Sequence, residues 1–146
     1  MTNIQNTLQT ISNYLAALAS GNSEQMSTFC SPNFVLDLVH DDAFVRDPLS
    51  VDDMKQFWEV WFDGFSEMDW EVERTIAAET VVVVQWTFTG THDKDLPIFR
   101  KPLQPTGKTI SFRGVSIYDV ADGFIQRETT YNDLYGFSYC HGRVGS

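Results

Sequence analysis

Apolar residues at the start of the chain recur at alternating steps of four and three, which is the spacing of one helical face. They are Ile4, Leu8, Ile11, Leu15 and Leu18. The segment has a polar start at Thr2 or Asn3 and a glycine, Gly21, after the last apolar position. These features predict an amphipathic helix between those points.

A second, shorter pattern follows at once. Ser23 is suited to begin a short helix, with Met26 and Phe29 facing inward, and Pro32 is expected to end it. The apolar run from Phe34 to Val39 then predicts a first strand.

The third helix has the broadest apolar face. Ser50 is a good N-cap, and the carboxylates of Asp52 and Asp53 suit the positive end of a helix. The apolar residues that follow at helical spacing are Met54, Phe57, Trp58, Trp61, Phe62 and Phe65. So wide an aromatic face needs a large apolar partner, and a sheet provides one.

Beyond this helix the period changes to that of strands, rich in β-branched and aromatic residues. The predicted strands are 70–76, 80–92, 109–120 and 124–132. Asp122-Gly123 predicts a hairpin turn between the last two, and 93–108, with three prolines, reads as a long loop. Helices followed by a run of antiparallel strands define an α+β class, and the length fits one domain over residues 1–146.

The net charge and the composition argue against several classes of function. The net charge of −10 disfavours nucleic acid and an anionic membrane surface as partners. The first helix lacks a basic leader and is amphipathic, so neither a signal peptide nor a membrane span is predicted, and the cytoplasm is the expected compartment. Cys30 and Cys140 lie far apart, without metal-ligand spacing, and are expected to be buried or idle thiols, with a disulfide as the alternative.

Several later segments together resemble one family. They are 65–73 (FSEMDWEVE), 82–92 (VVVQWTFTGTH), 105–118 (PTGKTISFRGVSIY) and the turn at 122–125 (DGFI). Their order, with the helices before them, resembles the SnoaL-like polyketide cyclase family of the nuclear-transport-factor-2-like fold over residues 4 to 137. The resemblance implies a cone-shaped curved antiparallel sheet wrapped around N-terminal helices, and a flexible tail is expected from about residue 138.

The resemblance also implies a chemistry. Relatives of this kind work without a cofactor, are often homodimers through the outer face of the sheet, and hold a small apolar ligand in the cone. The name-giving members close a polyketide ring by intramolecular aldol condensation, whereas others isomerise, dehydrate, hydrolyse or only bind.

One position departs from the family pattern. The resemblance places an acid/base aspartate, after a tryptophan, on the last strand, where this chain has Thr129-Thr130. Strand alternation puts Glu128, Thr130 and Asn132 on one face, so Glu128 could replace the missing acid. The alternative is a carboxylate that is exposed or at the rim and pairs with Arg127 or another basic residue.

His92 is the second candidate acid/base. It ends an apolar stripe with Trp86, Phe88 and Gly90, and it matches the Gly-Thr-His of the family. This places it at the expected mouth of the pocket, where imidazole has a suitable pKa for proton transfer. A structural histidine at a strand end is the alternative. His40 could also face the mouth, but no metal-ligand spacing surrounds it, and no metal is predicted.

A flat or polycyclic ligand is expected from the number of aromatic residues. The candidate ligand-binding residues, besides those on the last strand, are His40, Trp58, Trp61, Phe62, Trp86, Phe88, Phe112 and Arg113. Most of the aromatic residues could equally be ordinary core, and Arg113 could form a cross-strand salt bridge.

Three functions therefore stay open. The first is a cofactor-independent cyclase, isomerase or dehydratase that transfers protons on a small apolar carbonyl compound. The second is a non-catalytic module that binds a small hydrophobic ligand. The third is a dimerisation domain. No phosphate-binding glycine loop, Ser-His-Asp pattern or redox cysteine pair is present to suggest another chemistry.

Overall fold

The structure is a computed structural model that describes residues 3–39, 48–96, 105 and 107–133. The predictions for His40, Cys140 and the tail from residue 138 lie outside these residues. The described helices are α1 (Asn3–Ala19), α2 (Ser23–Ser27) and α3 (Val51–Gly64). The described strands are β1 (Cys30–Val39), β2 (Phe65–Ala77), β3 (Val81–His92), β4 (Thr109–Ala121) and β5 (Phe124–Asn132).

The strands form one sheet in the order β1-β5-β4-β3-β2. The pairs β2–β3, β3–β4 and β4–β5 are antiparallel as predicted, but β1 runs parallel to β5. The sheet is therefore mixed, and the expectation of a purely antiparallel sheet is wrong at this edge. A parallel pair needs a long connection, which the chain between β1 and β5 supplies; the pattern within a strand does not reveal its partner.

The turn between β4 and β5 follows the sequence prediction. Asp122 and Gly123 have φ angles of 54° and 80°. Positive φ at both central residues defines a type I′ turn, whose twist matches that of the flanking strands. The turn begins β5, and a register shift between Asp119 and Val120 of β4 then places Glu128 opposite Tyr118.

Two predicted boundaries are wrong. Pro32 lies inside β1 and does not precede it. A proline is tolerated there because β1 is an edge strand, where a missing N–H breaks no ladder. Phe65 caps α3 with extended backbone and opens β2, so that strand begins five residues before the predicted Trp70.

The buried face of α1 is rotated from the predicted one. Ile4 is 40% exposed, whereas Thr7 and Tyr14 are buried together with Ile11 and Leu18. Thr7 donates a hydrogen bond to the carbonyl of Glu79, which holds the helix at this rotation. As a result Tyr14 points into the protein.

The core lies between the helices and the inner face of the sheet. The inner residues of β3 alternate with exposed or half-buried ones, as the period predicts, and Phe88 on β3 packs against Trp61 of α3 with 5.3 Å between ring centroids. The outer face carries hydroxyl pairs such as Thr89 and Ser111 (3.2 Å). The structure holds one copy of the chain, so homodimerisation through this face stays a prediction. No helix among the described residues is long and apolar enough to cross a membrane.

Candidate active site

A cavity lies between the inner face of the sheet, α1 and α3. Most of its lining side chains are aromatic or aliphatic, and a few polar groups come from β4 and β5. The lining residues are Leu15, Leu18, Ala19, Leu38, Trp58, Trp61, Trp70, Val72, Trp86, Phe112, Ser116, Tyr118, Glu128, Thr130 and Asn132. Apolar walls with a small set of convergent polar groups are typical of small-molecule sites.

Glu128 is the only carboxylate among these lining residues. It is 3% exposed, and it receives two hydrogen bonds. The phenol of Tyr14 donates to Oε1 at 2.9 Å, and the hydroxyl of Thr130 donates to Oε2 at 2.6 Å. The carboxylate is thus held by one residue of α1 and by its own strand neighbour two positions on.

The hydrogen-bond chain behind Glu128 has one direction. The indole Nε1 of Trp86 can only donate, and it does so to the hydroxyl of Ser116 at 2.9 Å. Thr130 uses its single proton on Glu128, so Ser116 donates to Thr130 across their 2.7 Å contact. Every proton in the chain points toward the carboxylate, which is the arrangement that favours the ionised form.

Burial shifts the pKa of Glu128 in the opposite direction, and its effect is larger than that of the hydrogen bonds. Removing the carboxylate from water raises the pKa of Glu128 above 4.5, although the hydrogen bonds from Thr130 and Tyr14 lower it. Burial, with the charge of Glu128 next, raises the pKa of Tyr14, so its phenol stays a neutral donor. A carboxyl group whose pKa is moved toward neutrality can accept and return a proton under ordinary conditions.

The raised pKa predicts a pH dependence of stability. Above pH 4.5 the folded protein keeps a proton on Glu128 that the unfolded chain has lost, so the free energy of unfolding falls as the pH rises toward the folded pKa. The slope reaches at most about 1.4 kcal/mol per pH unit. Urea unfolding of the wild type and of Glu128→Gln over this range measures it. The wild type should lose stability relative to the variant as the pH rises, and a constant difference would contradict the prediction.

The alternative role for Glu128, a surface ion pair with Arg127, is wrong. Arg127 lies on the opposite face of β5 and pairs with Asp37 of β1 at 2.7 Å. Strand alternation therefore separates the two residues, as it also brings Glu128, Thr130 and Asn132 to the same cavity.

The predicted ligand-binding residues divide into two groups. Those that line the cavity are Trp58, Trp61, Trp86, Phe112, Thr130 and Asn132. Phe62, Phe88 and Arg113 do not line it, so this cavity gives no support to the prediction that these three bind a ligand. Phe62 stacks on Trp58 beside Gly21, Phe88 lies fully buried in the core, and Arg113 is exposed on the outer face opposite Thr87.

His92 is not at the mouth of the cavity. It is fully buried at the end of β3, where it faces Phe65 in the strand register with 5.6 Å between ring centroids. Its backbone N–H and carbonyl pair with Lys108 and Gly107. It does not line the cavity, so the structure separates the two candidate acid/base groups.

Tyr14, Ser116 and Trp70 were not among the site residues predicted from the sequence. Tyr14 had a usable signal, because it lies three residues after Ile11 and four before Leu18 on α1. Ser116 had another, since it alternates with the inward Tyr118 on β4. Either residue could have been predicted to face the interior of the protein. Neither pattern indicates which polar group its hydroxyl would contact.

The cavity encloses about 70 Å³. A water molecule needs roughly 10–15 Å³ of such space, so the cavity accepts a few water-sized groups or part of a ring. Val72, which lines the cavity, is itself 47% exposed. A ligand of several rings exceeds this volume and would extend beyond the cavity.

Comparisons with known proteins agree on the fold. AclR from Streptomyces galilaeus, a candidate hydroxylase, is 20% identical with a TM-score of 0.81, over 98% of this chain and 89% of its own. IdmH from Streptomyces antibioticus, a candidate polyketide cyclase, is 20% identical with a TM-score of 0.74, over 94% and 97%. TsrD from Streptomyces laurentii is 16% identical with a TM-score of 0.76, over 95% and 96%.

The sequence comparisons identify the family. A search of curated proteins gives no significant match. The family model of the SnoaL-like polyketide cyclases matches residues 9–138, which is most of the chain and contains both α3 and the whole sheet. The chain belongs to the SnoaL-like polyketide cyclase family, with its α+β cone fold.

Proposed function

We propose that the protein is a cyclase- or isomerase-type enzyme that needs no cofactor and transfers protons on a small apolar carbonyl compound, with Glu128 as the acid/base. One observation supports this most directly. Glu128 is a buried carboxylate in an apolar cavity, held by hydrogen bonds to Tyr14 and Thr130. Such a group is rare in a protein interior unless it has a partner or a task.

The proposed step begins with the ionised carboxylate. Glu128 removes a proton from the carbon next to a carbonyl, and the electron pair of the broken C–H bond moves onto the carbonyl oxygen as an enolate. In an isomerisation, the protonated Glu128 returns the proton to another carbon. In an aldol closure, the enolate carbon bonds to a second carbonyl carbon, and the proton goes to the alkoxide that forms.

Thr130 has a positioning role in this scheme. It stands where the family resemblance implies an aspartate, and its hydroxyl contacts the carboxylate two residues away at 2.6 Å. The acid has thus moved by two positions on the same face of β5, which keeps it inside the same cavity.

Nitrobenzisoxazole tests the proposal without knowledge of the natural substrate. A base removes its ring C–H proton, the N–O bond breaks, and a coloured cyanophenolate forms. We expect the wild type to catalyse this reaction with a kcat/KM that rises with pH through an apparent pKa above 4.5, because Glu128 must be ionised to act. A rate no higher than that of acetate at the same concentration, or a profile with an ordinary carboxylate pKa, would contradict the proposal.

A non-catalytic binding module is the second candidate. The presence of Thr130 at the position of the family acid favours it, because a hydroxyl cannot shuttle protons near neutral pH. This candidate predicts that an aromatic ketone binds in the cavity while nitrobenzisoxazole is not turned over. The two functions are therefore separated by measuring binding and turnover on the same preparation.

A further inference from the structure

Two tryptophans on the cavity wall have buried indole N–H groups without a hydrogen-bond partner among the described residues. They are Trp58 of α3 and Trp70 of β2. Trp58 as a whole is 8% exposed. Trp86, on the same wall, differs from both, since its N–H donates to Ser116 at 2.9 Å.

An unpaired buried N–H is unusual. It gives up its hydrogen bond to water and receives nothing in exchange, so most buried donors in native proteins are paired. A phenylalanine at either position would supply the ring without this penalty. Two such donors on one cavity therefore point to a partner that the described part of the chain does not supply.

The two indoles also adjoin each other. Their ring centroids are 5.8 Å apart in an edge-to-face arrangement, and Trp70 in turn packs at 5.3 Å from Trp86. Trp86 belongs to the hydrogen-bond chain that ends on Glu128. The unpaired donors and the carboxylate are thus parts of one continuous wall.

We infer that Trp58 and Trp70 are specificity-determining residues whose indole N–H groups donate to a carbonyl oxygen of the bound ligand. The inference rests on the proposed use of this cavity for a carbonyl compound, and it assigns the recognition of the oxygen to these two residues. A site built to pair such donors rejects an analogue that lacks the acceptor.

Acetophenone and α-methylstyrene form a matched pair of probes, because they differ only in C=O against C=CH₂. Calorimetric titration gives the Kd of each, and the ratio of the two Kd values cancels changes in cavity shape. We expect each of Trp58→Phe and Trp70→Phe to shift this ratio about fivefold toward α-methylstyrene, the effect of one hydrogen bond. Phe62→Leu is the control, since Phe62 packs against Trp58 without lining the cavity, and it should leave the ratio unchanged.

The result that overturns the inference is a ratio that stays the same in the Trp58→Phe/Trp70→Phe double variant. Failure of both probes to bind the wild type up to their solubility limits would overturn it as well. Turnover of nitrobenzisoxazole by the wild type separates this inference from the proposed function. If the ratio of Kd values depends on the two indoles but nitrobenzisoxazole is not turned over, the inference stands and the proposed enzymatic function is wrong.

Discussion

Glu128→Gln should lower kcat/KM for nitrobenzisoxazole by about 100-fold or more. A positioned general base contributes roughly 10²–10⁴-fold to proton transfer, and glutamine keeps the shape of the side chain but has one acceptor oxygen in place of two and cannot take up the proton. Initial rates at saturating and limiting probe concentration measure the change. The loss should be in kcat, because the apolar wall that binds the probe is intact.

A relocated acid is a sharper test of the same site. Thr130 lies on the same face of β5 as Glu128 and also lines the cavity. Adding Thr130→Asp to Glu128→Gln places a carboxylate where the family resemblance implies one, and we expect it to restore part of the lost rate. If Glu128→Gln alone keeps the wild-type rate while its fold is unchanged by circular dichroism, Glu128 is not the base.

Gly114→Ala should destabilise the protein by about 2–4 kcal/mol. A Cβ at this position would lie 2.3 Å from Cζ2 of Trp86 and 2.8 Å from the carbonyl oxygen of Tyr131. Overpacking of this kind costs about 1–3 kcal/mol, and displacement of the indole also removes its hydrogen bond to Ser116, worth about 1 kcal/mol. Urea unfolding at one pH gives the difference in the free energy of unfolding.

A double-mutant cycle identifies the cause. Trp86→Phe removes the indole ring atoms that the new methyl group meets, so Gly114→Ala should cost less in that background. Equal costs in both backgrounds would mean that the clash with Tyr131, and not the one with Trp86, decides the result. If Gly114→Ala has the same free energy of unfolding as the wild type, the close packing of Gly114 against Trp86 and Tyr131 is contradicted.

The local sequence signals were reliable where the chain itself decides the structure. Ser50 caps α3 as predicted, with its hydroxyl accepting from the N–H of Asp53. Asp122 and Gly123 adopt the positive φ angles of the predicted turn. Both depend on neighbours within a few residues, so a single sequence contains all that is needed.

The errors came from interactions between distant segments. The rotation of α1 depends on contacts such as that between Thr7 and Glu79, 72 positions away, and an apolar count does not include it. Pro32 is tolerated in β1 because that strand is at the edge of the sheet and its pairing with β5 is irregular between Cys30 and Val35. Both features depend on which distant segment an element packs against. The hydrophobic pattern of a helix or strand does not identify that segment.

The cavity itself shows the same division. Alternation along β5 determined from the sequence alone that Glu128 shares a face with Thr130. Because Thr130 stands where the family resemblance implies an aspartate, Glu128 became the candidate acid. The tertiary structure decided what surrounds that carboxylate. It brought the phenol of Tyr14 from α1 to Oε1, and it left His92 buried at the far end of its strand, away from the cavity. The physical reason is that a pKa depends on burial and on donors from other elements, and these exist only once helix and sheet have packed together.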